Sequence, residues 1–231
     1  MSWIWPYSYL KGGKQRTKTS RVSTSFDSLD LVQRYDAMCS TIQPRPIAFI
    51  STCSTAGCNN LAPVAFFMPV TSEPASLAFS VTWRRDGSEK DTLVNIRSTG
   101  HFVVNHTTLP IIHKVFVASQ EFGPEVDEFE EAGLTPAPSV CGPAPHVLGS
   151  PVSLECRLLH TLPVGEKRHG GTHRSSLGQV VYMHVSESCM DGSGIRGETL
   201  QSVSRVEGTR FAAGGRKFDI VSEKIWGKTK W

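Results

Sequence analysis

The sequence lacks the marks of several protein classes. No apolar run approaches the ~18–20 residues that a membrane-spanning helix needs. The apolar residues at the N-terminus precede the basic ones, unlike those of a secretory signal. There is no G-x-G-x-x-G segment that follows a strand and opens a helix, and no P-loop, H-E-x-x-H or G-x-S-x-G motif. We therefore expect no membrane partner, and a Rossmann dinucleotide site is not supported.

Cysteine is also sparse, with six in 231 residues and no C-x-x-C pair. This density is far below that of a disulfide-stapled domain, so we expect free thiols and a cytoplasmic protein. Cys53 and Cys58 flank a predicted turn, and a disulfide across that turn is the alternative. His169 and His173 have i, i+4 spacing, but they lie in a Gly-rich segment rather than on a helix, so no metal site is predicted.

Acidic residues are missing from the first 26 positions, which hold five basic residues. The whole chain has 24 Lys and Arg against 21 Asp and Glu, so the remainder holds 19 basic and 21 acidic residues and its net charge is −2. A near-neutral body gives no reason to expect a nucleic-acid partner. We expect residues 1–26 to form a basic flexible tail and residues 27–231 to form one domain. The acid-free, Ser/Thr-rich tail leaves mitochondrial targeting as an alternative.

Short apolar or alternating runs predict a mainly β fold. Residues 46–53 are almost continuously apolar, Gly57 suits the turn that follows, and residues 61–68 complete a hairpin. Pro63 cannot donate to a sheet ladder, so we expect it in an edge strand or at an irregular point. Further strands are predicted at 75–82, 101–105, 152–162 and 178–186 and near 216–221, with a loop over 163–177.

The predicted helices are few and short. Residues 91–100 form one, with Asp91 as N-cap and Gly100 at the C-terminal end. Residues 109–132 are predicted to be helical with a break near Gly123, and another short helix is predicted near 198–203. The acid-rich run within 121–131 is interpreted as a solvated helix face, and residues 27–44 have no clear pattern. This balance favours a β-barrel or sandwich with helical decoration.

Two segments carry residues suited to a ligand. At 87–96, a predicted helix N-terminus offers unpaired N–H groups, Lys90 adds a charge and Thr92 a hydroxyl, a combination that suits a phosphate. At 44–52, Arg45 stands between two prolines and the strand ends in two hydroxyl residues. Taken alone, each segment also has a purely structural interpretation, as a capped surface helix and as a buried hairpin.

Several motifs in order resemble the flavin reductase-like family. They are P-R-P-I-A-F-I-S-T (44–52), N-L-A-P-V-A-F-F (60–67), S-E-P-A-S-L-A-F-S (72–80), K-D-T-L-V-N-I-R-S-T-G-H-F-V-V-N (90–105), E-V-D-E-F-E-E-A-G-L-T (125–135) and S-P-V-S-L-E-C-R (150–157). The resemblance spans about residues 40–221. It implies an antiparallel split β-barrel of Greek-key type with a few short flanking helices. It also implies a homodimer with FMN near the interface.

The resemblance further implies which residues contact the flavin. Lys90 and Thr92 would hold the phosphate, Ser51 and Thr52 would lie close to the flavin, and the segment after residue 61 would line the isoalloxazine. The candidate FMN-binding residues are Arg45, Pro46, Ser51, Thr52, Ala62, Pro63, Val64, Ala65, Phe66, Phe67, Ser80, Lys90, Asp91 and Thr92. The chain departs from the family at Ala65, where Ser is usual, and at Met68, where Asn or Thr is usual.

The function implied is that of an FMN-dependent oxidoreductase. NAD(P)H would pass hydride to the flavin, and the reduced flavin would pass electrons to a small-molecule acceptor. Because the cofactor carries this chemistry, no side chain is assigned a catalytic role. Ala65 and Met68 leave two alternatives open: a flavin-binding or sensing protein without catalysis, and a split-barrel interaction module without flavin.

Overall fold

A computed structural model describes residues 22–84, 86–168 and 171–214, with the backbone alone at 165–168 and 171–172. The strands are β1 (Arg45–Pro46), β2 (Ala48–Cys53), β3 (Asn59–Val64), β4 (Phe67–Ser72), β5 (Ala75–Val81), β6 (His101–His106), β7 (Pro136–Ala137), β8 (His146–Val147), β9 (Val152–Arg168), β10 (Gly171–Val185), β11 (Met190–Asp191), β12 (Gly194–Ile195), β13 (Val203–Arg205) and β14 (Phe211–Ala213). The helices are α1 (Leu31–Thr41), α2 (Asp91–Thr99), α3 (Ile112–Val117) and α4 (Glu128–Glu131), with 3-10 helices at Phe26–Ser28, Leu109–Ile111 and Glu187–Cys189.

One large sheet organises the fold. Its strand order is β3-β2-β6-β9-β10-β5-β4, and neighbouring strands pair antiparallel. A smaller sheet joins β1, β13 and β14. The prediction of a mainly β fold with few helices is confirmed, whereas the Greek-key connection stays a prediction. β3 is an edge strand of the large sheet, as expected from Pro63.

Strand β2 is buried on both faces, which explains its nearly continuous apolar sequence. Ile50 points into an interior cluster with Leu77, Phe79 and Phe102. Its neighbour Phe49 points the other way, into a second cluster that α3 and α4 cover. Both side chains are 0% exposed. Two layers of core therefore sandwich this strand, and they hold the adjoining β3 hairpin in place.

The N-cap of helix α2 lies one residue earlier than expected. Lys90, not Asp91, is the N-cap, and its side chain makes no capping hydrogen bond. Asp91 instead forms an ion pair with Arg84. The C-terminal end agrees with the prediction, because Gly100 adopts φ +70°, a left-handed conformation that glycine accepts without strain. Leu93 is almost wholly buried in the interior cluster, so the helix start is held against the sheet.

Several sequence-based boundaries are wrong. The strand expected over 61–68 is two strands, because β3 ends at Val64 and β4 begins at Phe67 and pairs with β5. The loop expected over 163–177 is mostly ladder: β9 and β10 continue to pair from Leu162 with Ser175 outward to Arg168 with Gly171. Backbone pairing needs no side-chain alternation, so this extension left no pattern to detect.

Other helical predictions also change. Residues 109–132 are helical only at their two ends, since α3 ends at Val117 and α4 begins at Glu128. Residues 197–200 form a turn that leads into β13, not a helix near 198–203. Conversely, the unpatterned segment 27–44 contains α1. The capping box that starts α1 joins Asp30 and Gln33, and the D-x-x-Q spacing was its sequence signal.

Some predictions fall on parts of the chain that the structure does not describe. Residues 1–21, His169 and the strand near 216–221 lie outside the described residues. Among the described residues, no helix is long and apolar enough to cross a membrane, and no group of His, Cys, Asp and Glu side chains is arranged to hold a metal ion. All six cysteines are free thiols, so Cys53 and Cys58 are not bonded to each other.

Candidate functional site

A cleft of about 660 Å³ opens beside the edge of the large sheet. Its walls come from the end of β3, the end of β5, the start of α2, the helical segment 109–117 and the small sheet. This volume lies in the range typical of ligand pockets. Of the residues predicted to contact a flavin, those that line the cleft are Arg45, Ala62, Pro63, Val64, Ala65, Phe66, Ser80, Lys90 and Thr92.

The remaining predicted residues lie elsewhere. The Ser51 hydroxyl donates to the carbonyl of Pro145, and the Thr52 hydroxyl donates to Asn60 Oδ1 at 3.1 Å. Both side chains are 0% exposed, so these hydroxyls serve the interior and not the cleft. Pro46 is exposed outside the cleft lining, and Phe67 packs against the interior cluster.

The start of α2 joins the cleft to a second, smaller pocket of about 70 Å³. Lys90 and Thr92 line both spaces, and Asp91 lines the smaller one. Arg84 neutralises the Asp91 carboxylate and also donates to the carbonyl of Phe122 at 2.7 Å. In the described part of the chain, no carboxylate forms an ion pair with Lys90. A positive charge and the free N–H groups of a helix N-terminus therefore meet at this pocket.

Asn60 links the helix start to the cleft wall. Its Oδ1 accepts from the hydroxyls of Thr92 at 2.9 Å and Thr52 at 3.1 Å, and its Nδ2 donates to Glu128 Oε1 at 2.9 Å. The other Glu128 oxygen accepts from the backbone N–H of Leu61 at 2.9 Å. Because the Thr92 hydroxyl donates within the protein, Thr92 offers a bound anion its backbone N–H, not its hydroxyl proton.

The interpretation of the acid-rich run as a solvated helix face is wrong at Glu128. The side chain is 5% exposed rather than solvated, and it also lines the smaller pocket. Burial raises the pKa of Glu128, while the hydrogen bonds from Leu61 and Asn60 act in the opposite direction. Within a run of similar glutamates, the sequence carries no signal that singles this one out.

The cleft is also lined by residues that the sequence did not indicate. Tyr35 from α1, Arg205 from β13 and Phe211 from β14 line it together with Arg45 and Phe66. Tyr35 lies in a segment that was predicted to have no clear pattern, and no element was predicted at Arg205 or Phe211. Of the two family departures, Ala65 lines the cleft, whereas Met68 is 57% exposed and does not.

The chain belongs to the flavin reductase like domain family, which it matches over residues 41–194. The family indicated by the sequence motifs is thereby confirmed. Among its relatives, the uncharacterized protein BH2278 of Halalkalibacterium halodurans is 35% identical over 194 residues, which are 84% of this chain and 93% of that protein. The protein YwrF of Bacillus subtilis is 30% identical over 197 residues, 84% of this chain and 96% of that protein. These relatives are bacterial, which counts against mitochondrial targeting by residues 1–26.

Solved structures share the fold. Nitrilotriacetate monooxygenase component B from Bacillus cereus is 28% identical, with a TM-score of 0.83, over 87% of this chain and 99% of that chain. The 2-nitrobenzoate 2-nitroreductase NbaA from Pseudomonas fluorescens is 22% identical, with a TM-score of 0.79, over 88% of this chain and 98% of that chain. A Shewanella frigidimarina structure with a split barrel domain is 20% identical, with a TM-score of 0.72, over 85% and 95%. The last two matches establish the fold alone.

Proposed function

We propose that this protein is a flavin-dependent oxidoreductase that holds FMN in the cleft and passes electrons from NAD(P)H to a small-molecule acceptor. Membership of the flavin reductase like domain family supports the class of reaction. So does the name of the Bacillus cereus protein, which is a component of a monooxygenase. The observation that carries the assignment of the site is the position of Lys90 at the N-terminus of α2, where it lines both the small pocket and the larger cleft.

The residues present fit the two ends of FMN. The phosphate would bind at the small pocket, where Lys90 supplies a charge and the first turn of α2 supplies N–H groups. The flat ring system would lie along residues 62–66, at the end of an edge strand. Some backbone groups of an edge strand face away from its ladder, and those that the protein itself leaves unbonded would be open to a planar heterocycle.

The protein's own residues would bind and orient the cofactor. When bound, FMN supplies a ring system that takes up a hydride and passes electrons on. Lys90 would fix the phosphate end, while Ala65 and Phe66 would set the position of the ring in the cleft. Proton transfer from a side chain is not required for hydride uptake, so no residue is assigned as a general acid or base.

We also propose that two copies of the chain associate, with FMN near the interface. The cleft is partly open to the surroundings, and its exposed lining residues, here called its rim, include Phe116, which is 64% exposed, and Leu109, which is 53% exposed. A second copy that covers this rim would shield both the apolar side chains and the bound ring. Light scattering after size-exclusion chromatography would give the mass of a dimer if this proposal is right and of a monomer if it is wrong.

The test of the proposed function is an absorbance spectrum. We expect the purified protein, after incubation with FMN and gel filtration, to keep a flavin spectrum with one flavin per chain. Anaerobic addition of NADH or NADPH should then bleach it, and the preferred nucleotide is the one that acts faster. A protein that stays colourless after incubation with FMN would overturn the proposal. A yellow protein that neither nucleotide reduces would be a flavin-binding or sensing protein without catalysis.

A further inference from the structure

Arg45 and Arg205 form a pair of like charges in the small sheet. They are direct partners in the antiparallel register of β1 with β13, so their side chains leave the same face of the sheet. Both line the large cleft, and neither lines the small pocket beside Lys90. Like charges directly opposite each other on paired strands are destabilising. Their presence on a cleft wall therefore calls for a compensating group.

The residues that the structure describes provide little compensation. Arg45 is 6% exposed, yet its Nη2 donates to one carbonyl, that of Val206 at 2.8 Å, and its Nε is buried without a hydrogen-bond partner. The Nη2 of Arg205 donates to the carbonyl of Gly208. Within residues 22–84, 86–168 and 171–214, no carboxylate forms an ion pair with either guanidinium. A buried arginine is normally paired, so Arg45 lacks among the described residues the partner that its burial calls for.

Aromatic side chains hold both guanidinium groups in place. Arg45 lies over the ring of Phe66 at 5.5 Å from its centroid, and Arg205 lies over the ring of Phe211 at 4.6 Å. Tyr35 is close enough that both arginines act to lower its pKa, although burial has the larger effect and raises it. Positioned guanidinium groups are suited to the paired oxygens of a carboxylate or phosphate, and little side-chain entropy is lost when they bind one.

We propose that Arg45 and Arg205 form a second anion subsite of the cleft, which binds a carboxylate or phosphate of the molecule that exchanges electrons with the flavin. This inference rests on the proposed function, which places the flavin phosphate at Lys90 and so leaves the arginine pair for a second ligand. An anion between the two guanidinium groups would neutralise their repulsion. The subsite would thus select anionic substrates over neutral ones of similar shape.

The test measures binding by calorimetry on protein loaded with FMN. The probes are benzoate with benzamide as its neutral match, inorganic phosphate, and NADP⁺, so that carboxylate and phosphate sources are compared. We expect Arg205→Gln to weaken the binding of benzoate, of phosphate or of NADP⁺ at least tenfold, and to leave benzamide and FMN within twofold of their wild-type affinities. Arg196→Gln removes a positive charge outside the cleft lining and should change none of these values.

Two results would overturn the proposal. In one, the affinity of no anionic probe depends on Arg205. In the other, Arg205→Gln weakens the binding of FMN as much as it weakens the binding of the anions, which would assign the pair to the flavin.

Arg45→Gln removes the bond to Val206 and is therefore the riskier variant for folding. The Arg205 bond reaches a carbonyl three residues away, so its loss leaves the ladder intact. If wild-type protein binds no FMN, the proposed function fails. The same anion titrations on the unloaded protein then show separately whether anion binding depends on Arg205.

Discussion

The carboxylate of Glu128 accepts a hydrogen bond from the side chain of Asn60 at 2.9 Å and thereby ties the short helix α4 to strand β3. The same asparagine accepts a hydrogen bond from the hydroxyl of Thr92, at the start of α2. Three elements that are far apart in the sequence thus meet at one amide group beside the cleft. Because Glu128 also accepts from the backbone of Leu61, the carboxylate satisfies two buried donors at once.

We expect Glu128→Ala to destabilise the protein by about 3 kcal/mol, because it leaves the Leu61 N–H and the Asn60 amide buried without an acceptor. Urea unfolding followed by fluorescence would measure the change. Glu131→Ala, at an exposed position of the same helix, is the matched control and should change the free energy of unfolding by less than about 0.5 kcal/mol. Equal effects of the two variants would mean that the Glu128 bonds contribute nothing.

Lys90→Ala should weaken FMN binding about 10- to 100-fold, which corresponds to the loss of one hydrogen bond to a charged group. Lys90→Arg keeps the charge at the helix start and should retain most of the affinity. Titration of FMN fluorescence would measure both variants. Because the lysine is partly exposed, the wild-type affinity should fall as salt increases, and this dependence should be weaker in Lys90→Ala. If Lys90→Ala bound FMN as tightly as the wild type does, the assignment of the phosphate site to the small pocket would be wrong.

Glu155 should make stability depend on pH in the acid range. Burial would raise the pKa of this carboxyl, but the N–H groups of Val140 and Cys141 and the ring of His184 bond the charged form and lower its pKa to about 2. A group whose pKa is lower in the folded state stabilises the fold above its unfolded pKa, and that stabilisation is lost as the pH falls. The loss should therefore run from the ordinary value of 4.5 down to about 2.

The check is the free energy of unfolding in urea at several pH values between about 2 and 6, where the titration lies. Glu155→Gln keeps the shape of the side chain without its charge, so its curve should be flatter than that of the wild type. Glu131 is exposed, so the free energy of unfolding of Glu131→Gln should depend on pH as that of the wild type does. Parallel curves for wild type and Glu155→Gln would show that another group causes acid unfolding.

Gly178→Ala should destabilise the fold by about 1–3 kcal/mol, as expected for overpacking of a core. A Cβ on Gly178 would lie 2.3 Å from Cζ of Phe102, a ring that is 0% exposed and packs on Phe79. Gly192→Ala is the matched control, since a Cβ at that position meets nothing within 4 Å. Thermal unfolding of the two variants side by side would separate the effect of the close contact from the intrinsic effect of alanine. A Gly178→Ala protein as stable as Gly192→Ala would contradict the packing at Phe102.

Local pattern and steric constraint determined much of the fold. The apolar run of β2, the alternation of Leu77 with Phe79 in β5, and the restriction that Pro63 places on a ladder each indicated the observed arrangement. These features depend on residues that are neighbours in the chain, so a sequence pattern carries them. The placement of Lys90 at a helix start was visible for the same reason, although the N-cap lies one residue from the predicted position.

The roles of polar side chains depended on contacts between distant segments. Ser51 and Thr52 were expected at the flavin, but Pro145, Asn105 and Asn60 take up their hydroxyls in the interior. A hydroxyl bonds whichever partner the fold brings near it, and the sequence does not record that partner.

The sequence by itself determined the family, the mainly β character and one candidate phosphate site, because motifs, alternation and capping are local properties of the chain. The tertiary structure decided that Glu128 is buried, that β9 and β10 extend through the expected loop, and that Arg205 stands opposite Arg45 in the cleft. Burial, register and the meeting of like charges arise between segments up to 160 positions apart, as the Arg45–Arg205 pairing illustrates. Only the folded chain brings such segments together, so only the structure reveals them.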